Sequence, residues 1–148
     1  MSIVARLNLP PVWLALFIAL AWGFAQVSAP LGGRLAWAGW ALVALALGLV
    51  VWAALAFRRA GTSIVPREPP SALVESGPYR WSRNPIYLAD LMILAGAALI
   101  LGAPLALVLL VPFREALLRL IILPEEAMLE RDLGQPYRDY SARVRRWL

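Results

Sequence analysis

Two adjacent acids, Glu125 and Glu126, are the clearest candidates for chemistry in this sequence, because they directly follow a long apolar run. Desolvation of carboxylates matters most in such a place because it is costly, and carboxylates accept hydrogen bonds from a ligand. The sequence has no histidine and no cysteine, which excludes a histidine base, a thiolate nucleophile and a cysteine–histidine zinc site. Any reaction must therefore use carboxylates, arginine, tyrosine, backbone groups or a bound cofactor.

An alternative interpretation of the acidic pair is structural. Pro124 suits the first turn of a helix, and carboxylates in that first turn interact favourably with the positive end of the helix dipole. Composition does not decide between these two interpretations.

A second polar cluster, "GPYRWSRNPIYLAD" at residues 77–90, runs straight into another apolar block. Tyr79 and Tyr87 bring hydroxyl groups and aromatic faces to it. Asn84 precedes a proline and is biased towards extended backbone, whereas Pro85 suits the first turn of a helix. A helix is therefore predicted to begin at Pro85. The plainer interpretation is an interfacial loop whose arginines face lipid phosphates.

The composition is that of an integral membrane protein. Hydrophobic residues make up 61% of the sequence, and the formal net charge is +5, with a mean hydropathy of +0.71. All the basic residues are arginines, and they flank the apolar blocks. This distribution favours the positive-inside rule over a nucleic-acid partner. The first apolar block has no small-residue cleavage site after it, so it is interpreted as a retained span.

The third apolar block could form one span, 86–111, or two spans with a turn at Gly102–Pro104. Two spans place every arginine except Arg34, Arg114 and Arg119 on one face of the membrane, as the positive-inside rule requires. One span would abolish this bias. Four membrane-spanning helices are therefore predicted, the last two as a tight hairpin, at about residues 11–29, 35–57, 86–101 and 105–123.

The predicted fold class is accordingly an all-α polytopic membrane protein, with residues 1–148 as a single domain. A cytoplasmic loop covers residues 58–85. A cytoplasmic tail with short helices covers residues 124–148. Both termini are expected in the cytoplasm, and the expected location is a bacterial inner membrane.

Several elements in a fixed order carry a family resemblance: "AGT", "SALVESGPYRWSRNPIY", an apolar hairpin, "PEEAML" and "LGQPYRDYSARVRRWL". This order resembles the membrane methyltransferases related to isoprenylcysteine carboxyl methyltransferase and phosphatidylethanolamine N-methyltransferase. The resemblance covers about residues 56 to 148, and the first two spans carry no specific resemblance. Asn84 stands where the carboxyl methyltransferase pattern has histidine. In this respect the sequence is closer to the phospholipid branch.

The resemblance implies S-adenosyl-L-methionine as the methyl donor, and it implies a role for each matching position. The segment 56–58 matches a cofactor-contacting stretch, and Arg119 matches an arginine that faces the methyl acceptor. Arg119 and Glu126 are the predicted catalytic residues. The predicted cofactor-binding residues are Leu73, Val74, Tyr79, Asn84, Pro85, Tyr87, Glu125 and Glu126.

The chemistry of these residues suits that cofactor, because carboxylates can accept hydrogen bonds from its amino or ribose groups and tyrosine faces attract a cation. Methyl transfer from a sulfonium needs no metal, and none is expected. The expected acceptor is a lipid or other hydrophobic small molecule. Arg119 could orient an acceptor carboxylate or phosphate, or it could pair with Asp90. The alternatives are a non-catalytic membrane scaffold and, since the first two spans hold no acid, a less favoured small transporter.

Overall fold

A computed structural model describes residues 9–27, 32–62 and 72–148. These residues form helices joined by short turns, with no strand among them, as the all-α prediction requires. The predictions that concern residues 1–8, 28–31 and 63–71 lie outside the described residues. The helices are α1 (Pro10–Val27), α2 (Ala36–Ala60), α3 (Pro85–Ile100), α4 (Leu110–Leu117), α5 (Leu123–Leu133) and α6 (Gln135–Arg143).

The first three helices lie close to the first three predicted spans. Pro85 begins α3 as predicted, because its fixed backbone angle suits a first helical position. The second helix continues past the predicted end at residue 57 to Ala60. There Gly61 adopts a left-handed conformation with φ of 64°, and its N–H bonds to the carbonyl of Arg58. Glycine terminates α2 because it enters this region without steric penalty.

Two helical stretches are long and apolar enough to cross a membrane: Pro10–Val27 and Gly33–Ala60. Only 17% of the residues in the apolar window of each are buried within the protein. A core helix of a soluble protein would be mostly covered, so this exposed apolar surface is consistent with contact with lipid. The aromatic side chains Trp22, Trp37 and Trp40 are among those exposed on it. The third helix, Pro85–Ile100, is also apolar but shorter.

The chain remains helical from Pro104 to Leu133, which differs from the prediction of a break after residue 123. A 3₁₀ turn covers Pro104–Leu109, and a π turn at Leu118–Ile122 joins α4 directly to α5. Pro124 does lie in the first turn of α5. Because proline has no N–H to donate to the carbonyl four residues before it, the regular bonding pattern must change near it. The wider π turn lies immediately before that position and keeps the helix continuous.

The helices α2 and α3 pack closely along their lengths. At one point of this packing, a glycine of each helix faces the other helix. A β-carbon added at Gly39 would lie 2.6 Å from the carbonyl oxygen of Gly96, and one added at Gly96 would lie 2.7 Å from that of Gly39. Small residues therefore bring the two backbones together, as they often do between membrane helices. This contact sets the position of α3, which carries Asn84, Pro85 and Tyr87 at its start.

The main core lies between α1, α3 and α4. Phe17 and Phe113 pack with ring centroids 4.9 Å apart, and Leu94 and Leu117 are fully buried beside them. This core holds the hairpin of α3 and α4 together. It therefore brings the start of α3 and the start of α5 to the same end of the helix bundle.

Candidate functional site

The start of α3 and the start of α5 are joined by a hydrogen bond between two predicted site residues. The Tyr87 hydroxyl donates to Glu125 Oε2 at 2.7 Å, across 38 residues of sequence. Tyr87 is buried, with 8% of its surface exposed. A hydroxyl on an ionised carboxylate forms a short and strong hydrogen bond. Two residues that the resemblance assigns to the same cofactor are therefore in direct contact.

Tyr79 is buried beside this contact, in the 3₁₀ turn Gly77–Arg80. Its ring meets Phe57 edge-on, with centroids 5.4 Å apart and planes at 81°. Its carbonyl oxygen accepts a hydrogen bond from the Tyr140 hydroxyl at 2.9 Å. Burial raises the pKa of both phenols, so both keep their protons at neutral pH. Tyr79 is thus held from α2 on one side and from α6 on the other.

The two predicted loop residues Leu73 and Val74 point to different surroundings. Val74 is buried with Tyr79 and Ala56 against α2. Leu73 packs instead against the cluster of Tyr137, Tyr140 and Val144. Of the segment 56–58, Ala56 and Phe57 therefore pack with Tyr79, whereas Arg58 is exposed.

Asn84 is bound to a segment far along the chain. Its Nδ2 donates to the carbonyl oxygen of Arg146 at 2.9 Å, and its backbone N–H donates to Ser82 Oγ at 3.1 Å. The Arg83 N–H donates to the carbonyl oxygen of Arg145 at 2.9 Å. Ser82 and Arg145 form an isolated parallel bridge. The side-chain amide of Asn84 therefore already has a backbone partner, and it holds residues 145–146 against the start of α3.

Glu126 lies in an ion cluster that differs entirely from the surroundings of Glu125. The Arg146 guanidinium donates twice to it, at 2.9 Å and 2.7 Å. Arg83 Nη1 lies 3.4 Å from Glu126 Oε1. The hydrogen bonds to Glu126 raise the pKa of Arg146 further. Within the described residues, Arg83 Nε is buried and has no hydrogen-bond partner.

Arg119 lies on the π turn, and its partner is Glu115 rather than Asp90. The suggested pairing of Arg119 with Asp90 is therefore wrong. Its side chain is 73% exposed, and Glu115, one turn earlier on the same helix face, neutralises it at the surface. Asp90 is buried in α3, and its Oδ2 has no partner in the part of the chain that the structure describes.

Arg114 is the other arginine of the hairpin, and its guanidinium lies 5.3 Å from the centre of the Trp147 ring. It borders an open, mainly apolar groove of about 320 Å³ between α3 and α4. The groove is also lined by Leu91, Met92, Leu110 and Val111.

Sequence reasoning missed three residues that organise this region: Ser82, Tyr140 and Arg146. The spacing of the tyrosines in "QPYRDYSARV" gave a signal for Tyr140, since it places Tyr137 and Tyr140 on one face of a helix. Ser82 and Arg146 act through backbone carbonyls and through a partner 20 or more residues away. No local pattern reports such contacts.

The model of the phospholipid methyltransferase family matches residues 35–136. The chain belongs to this family. The match covers more than half of the chain, and it includes the part of α2 before residue 56, which sequence reasoning had left outside the resemblance. It takes in Tyr79, Tyr87 and Glu125, and it stops before Tyr140 and Arg146. No curated protein and no solved structure matches the chain.

Membership in the phospholipid methyltransferase family confirms the predicted family, and it supports a methyltransferase that acts on lipid-type substrates. Among the described residues, no group of three or more acidic side chains is placed to hold a metal ion.

Proposed function

We propose that this protein is an S-adenosyl-L-methionine-dependent methyltransferase whose acceptor is a lipid or another hydrophobic small molecule. The observation that carries the proposal is the hydrogen bond from Tyr87 to Glu125, inside the range that the family model matches. It joins an aromatic residue and a carboxylate from separate helices next to buried Tyr79. Methyl transfer to a membrane-soluble acceptor needs such a polar, partly enclosed place at the end of apolar helices.

The residues present fit the proposed cofactor, which supplies an electrophilic sulfonium methyl group when bound. Glu125 can accept hydrogen bonds from an amino or ribose hydroxyl group, and Tyr87 fixes the orientation of that carboxylate. The faces of Tyr79 and Tyr87 attract a cation. Arg83 Nε, buried and without a hydrogen-bond partner among the described residues, is a donor suited to a carboxylate.

The proposed topology has four spans, with the third and fourth formed by α3 and by the helical run from Pro104 through the π turn. Asn84, Glu126 and the tail segment then share the cytoplasmic face, which is where a water-soluble cofactor is available. The concentration of arginines on that side supports this orientation. Both termini are proposed to lie in the cytoplasm of a bacterium, with the protein in its inner membrane.

An apolar acceptor would reach the site from the bilayer, between helices, while its polar end meets the cofactor at the interface. The apolar groove beside Arg114 supports lateral access at the hairpin. Arg119, two turns before the acidic pair on the same continuous helix, is proposed to orient an acceptor carboxylate or phosphate. The main contribution of the protein to the rate would be to hold the acceptor and the methyl group in line and to exclude water.

Transfer of a labelled methyl group into a lipid extract tests the proposed function. The purified protein in vesicles of host lipids should transfer label from S-adenosylmethionine into the organic phase. Tyr87→Ala should abolish transfer, because it removes both the ring and the hydroxyl group that orients Glu125. Trp37→Ala is the control, since Trp37 is exposed on the membrane-facing side of α2. A folded wild-type protein that transfers no label would instead support the non-catalytic scaffold.

A further inference from the structure

The residues just after α6 lie across the start of α3, beside residues that are assigned to the proposed site. Three contacts hold them there: Arg83 N–H to the Arg145 carbonyl at 2.9 Å, Asn84 Nδ2 to the Arg146 carbonyl at 2.9 Å, and Ser82 Oγ to the same carbonyl at 3.4 Å. We refer to residues 144–147 as the strap. Val144 at its start is buried against Tyr137 and Tyr140.

Glu126 supplies the side-chain contact that closes the strap. Both of its carboxylate oxygens are used by Arg146, and Oε1 also faces Arg83. The Glu126 side chain is only 14% exposed. A carboxylate with a bidentate arginine and a second guanidinium beside it has no strong need for a further cationic partner. Glu125 differs, because its Oε2 faces Tyr87 on the side of Tyr79.

We propose that Glu126 is a positioning residue that acts through Arg146, and that it does not contact the cofactor. Its carboxylate fastens the strap across residues 82–84 and thereby fixes Arg83 and Asn84. This inference rests on the proposed function, since the wall that the strap completes is that of the cofactor site. It assigns different roles to the two adjacent acids: Glu125 belongs to the binding surface, and Glu126 holds that surface together.

Charge explains why the cluster needs Glu126. Two guanidinium groups meet at one carboxylate, so the cluster carries an excess positive charge. Without the carboxylate, Arg83 and Arg146 would repel each other at short range in a poorly solvated place. The strap would then be held only by its backbone contacts. The excess positive charge also keeps Arg83 suited to an anionic group of a ligand.

A double-mutant cycle tests this role on the detergent-purified full chain, with S-adenosylmethionine as the ligand in calorimetry. Glu126→Gln and Arg146→Gln should each raise the Kd on the order of tenfold, the loss expected for a hydrogen-bonded ion pair. The Kd of the double variant should be no higher than that of the single variant with the higher Kd, because the two residues act as one unit. In the transfer assay each single variant should raise KM for S-adenosylmethionine and leave kcat at saturation close to that of the wild type.

Arg143→Gln is the matched control, because Arg143 makes an exposed ion pair from α6 to Glu75 at 2.8 Å. It should leave the Kd unchanged. Hydrogen exchange at the Arg83 amide reports strap attachment without any ligand: it should speed up in Glu126→Gln and Arg146→Gln but not in the control. Arg146→Lys keeps the positive charge and is the variant least expected to disturb folding. It should raise the Kd by less than Arg146→Gln does.

Three results would overturn the inference. Normal affinity in Arg146→Gln together with lost affinity in Glu126→Gln would show that Glu126 is a direct ligand of the cofactor. A Kd in the double variant that reflects the product of the two single effects would show that the two residues act independently. Unchanged affinity and exchange in both single variants would remove any role for the strap. Absence of binding to the wild type would refute the proposed function itself, whereas normal wild-type binding with insensitive variants would refute only this inference.

Discussion

The close approach of α2 and α3 at Gly39 allows a sharp test of the packing that positions the site. A β-carbon at Gly39 would lie 2.6 Å from the Gly96 carbonyl oxygen and 2.7 Å from Ile100 Cγ1. The first of these atoms belongs to the backbone and cannot rotate away, so α2 and α3 would have to move apart. Overpacking of this kind lowers the free energy of unfolding by about 1–3 kcal/mol.

Alanine also has a higher helix propensity than glycine, by about 1 kcal/mol, which partly offsets the overlap. Gly48 in the same helix isolates this gain, because an added β-carbon there has nothing within 4 Å. The difference between Gly39→Ala and Gly48→Ala therefore reports the overlap alone. It should amount to about 1–3 kcal/mol, or roughly 2–12 °C in Tm for a chain of this size.

Thermal unfolding of the two variants in the same detergent measures this difference. Gly39→Ala should unfold at the lower temperature and should also bind S-adenosylmethionine more weakly, because α3 carries Tyr87. Gly48→Ala should bind as the wild type does. Equal unfolding temperatures for the two variants would show that α2 and α3 do not approach each other at Gly39, and the positioning argument would fail.

Three further predictions concern the site and the topology. Tyr87→Phe removes a hydrogen bond to a charged partner, so the free energy of unfolding should fall by about 1.5–3 kcal/mol in denaturant titrations; an unchanged midpoint would contradict the contact. Burial raises the pKa of Tyr140 above its ordinary value of about 10, so the folded state holds this proton more tightly than the unfolded chain. Tm should therefore fall as pH rises above about 10, and Tyr140→Phe should flatten that fall; identical pH profiles would contradict it. Cysteines placed at Arg34 and Leu133 should react with a membrane-impermeant reagent from opposite faces, and labelling from the same face would exclude four spans.

The helices and their ends could be predicted well where a single residue type dominates the local physics. Pro85 begins α3 as predicted, because proline restricts the backbone independently of tertiary contacts. The apolar runs of α1 and α2 were equally clear. Pro124 lies in the first turn of α5, as its residue type predicts, but a π turn before it accommodates the missing hydrogen bond and joins α4 directly to α5.

The site could be predicted only in part, for a similar reason. The motif order indicated that Tyr87 and an acid of the pair lie together, and the structure has Tyr87 on Glu125. The different surroundings of Glu126 depend on Arg146, twenty residues away, and on backbone carbonyls that have no sequence signature. Arg119 seemed to need a buried partner from its apolar neighbours, but the helix itself supplies Glu115 one turn earlier.

Calorimetry of S-adenosylmethionine with the detergent-purified protein tests the central claim most directly. Glu125→Gln and Glu130→Gln form a matched pair, since both residues lie in α5 and the Glu130 side chain makes an exposed ion pair with Arg138 at 3.7 Å. Saturable binding is expected for the wild type and for Glu130→Gln, and an affinity lower by about tenfold or more is expected for Glu125→Gln. No binding to the folded wild type, or equal affinity in all three proteins, would contradict it.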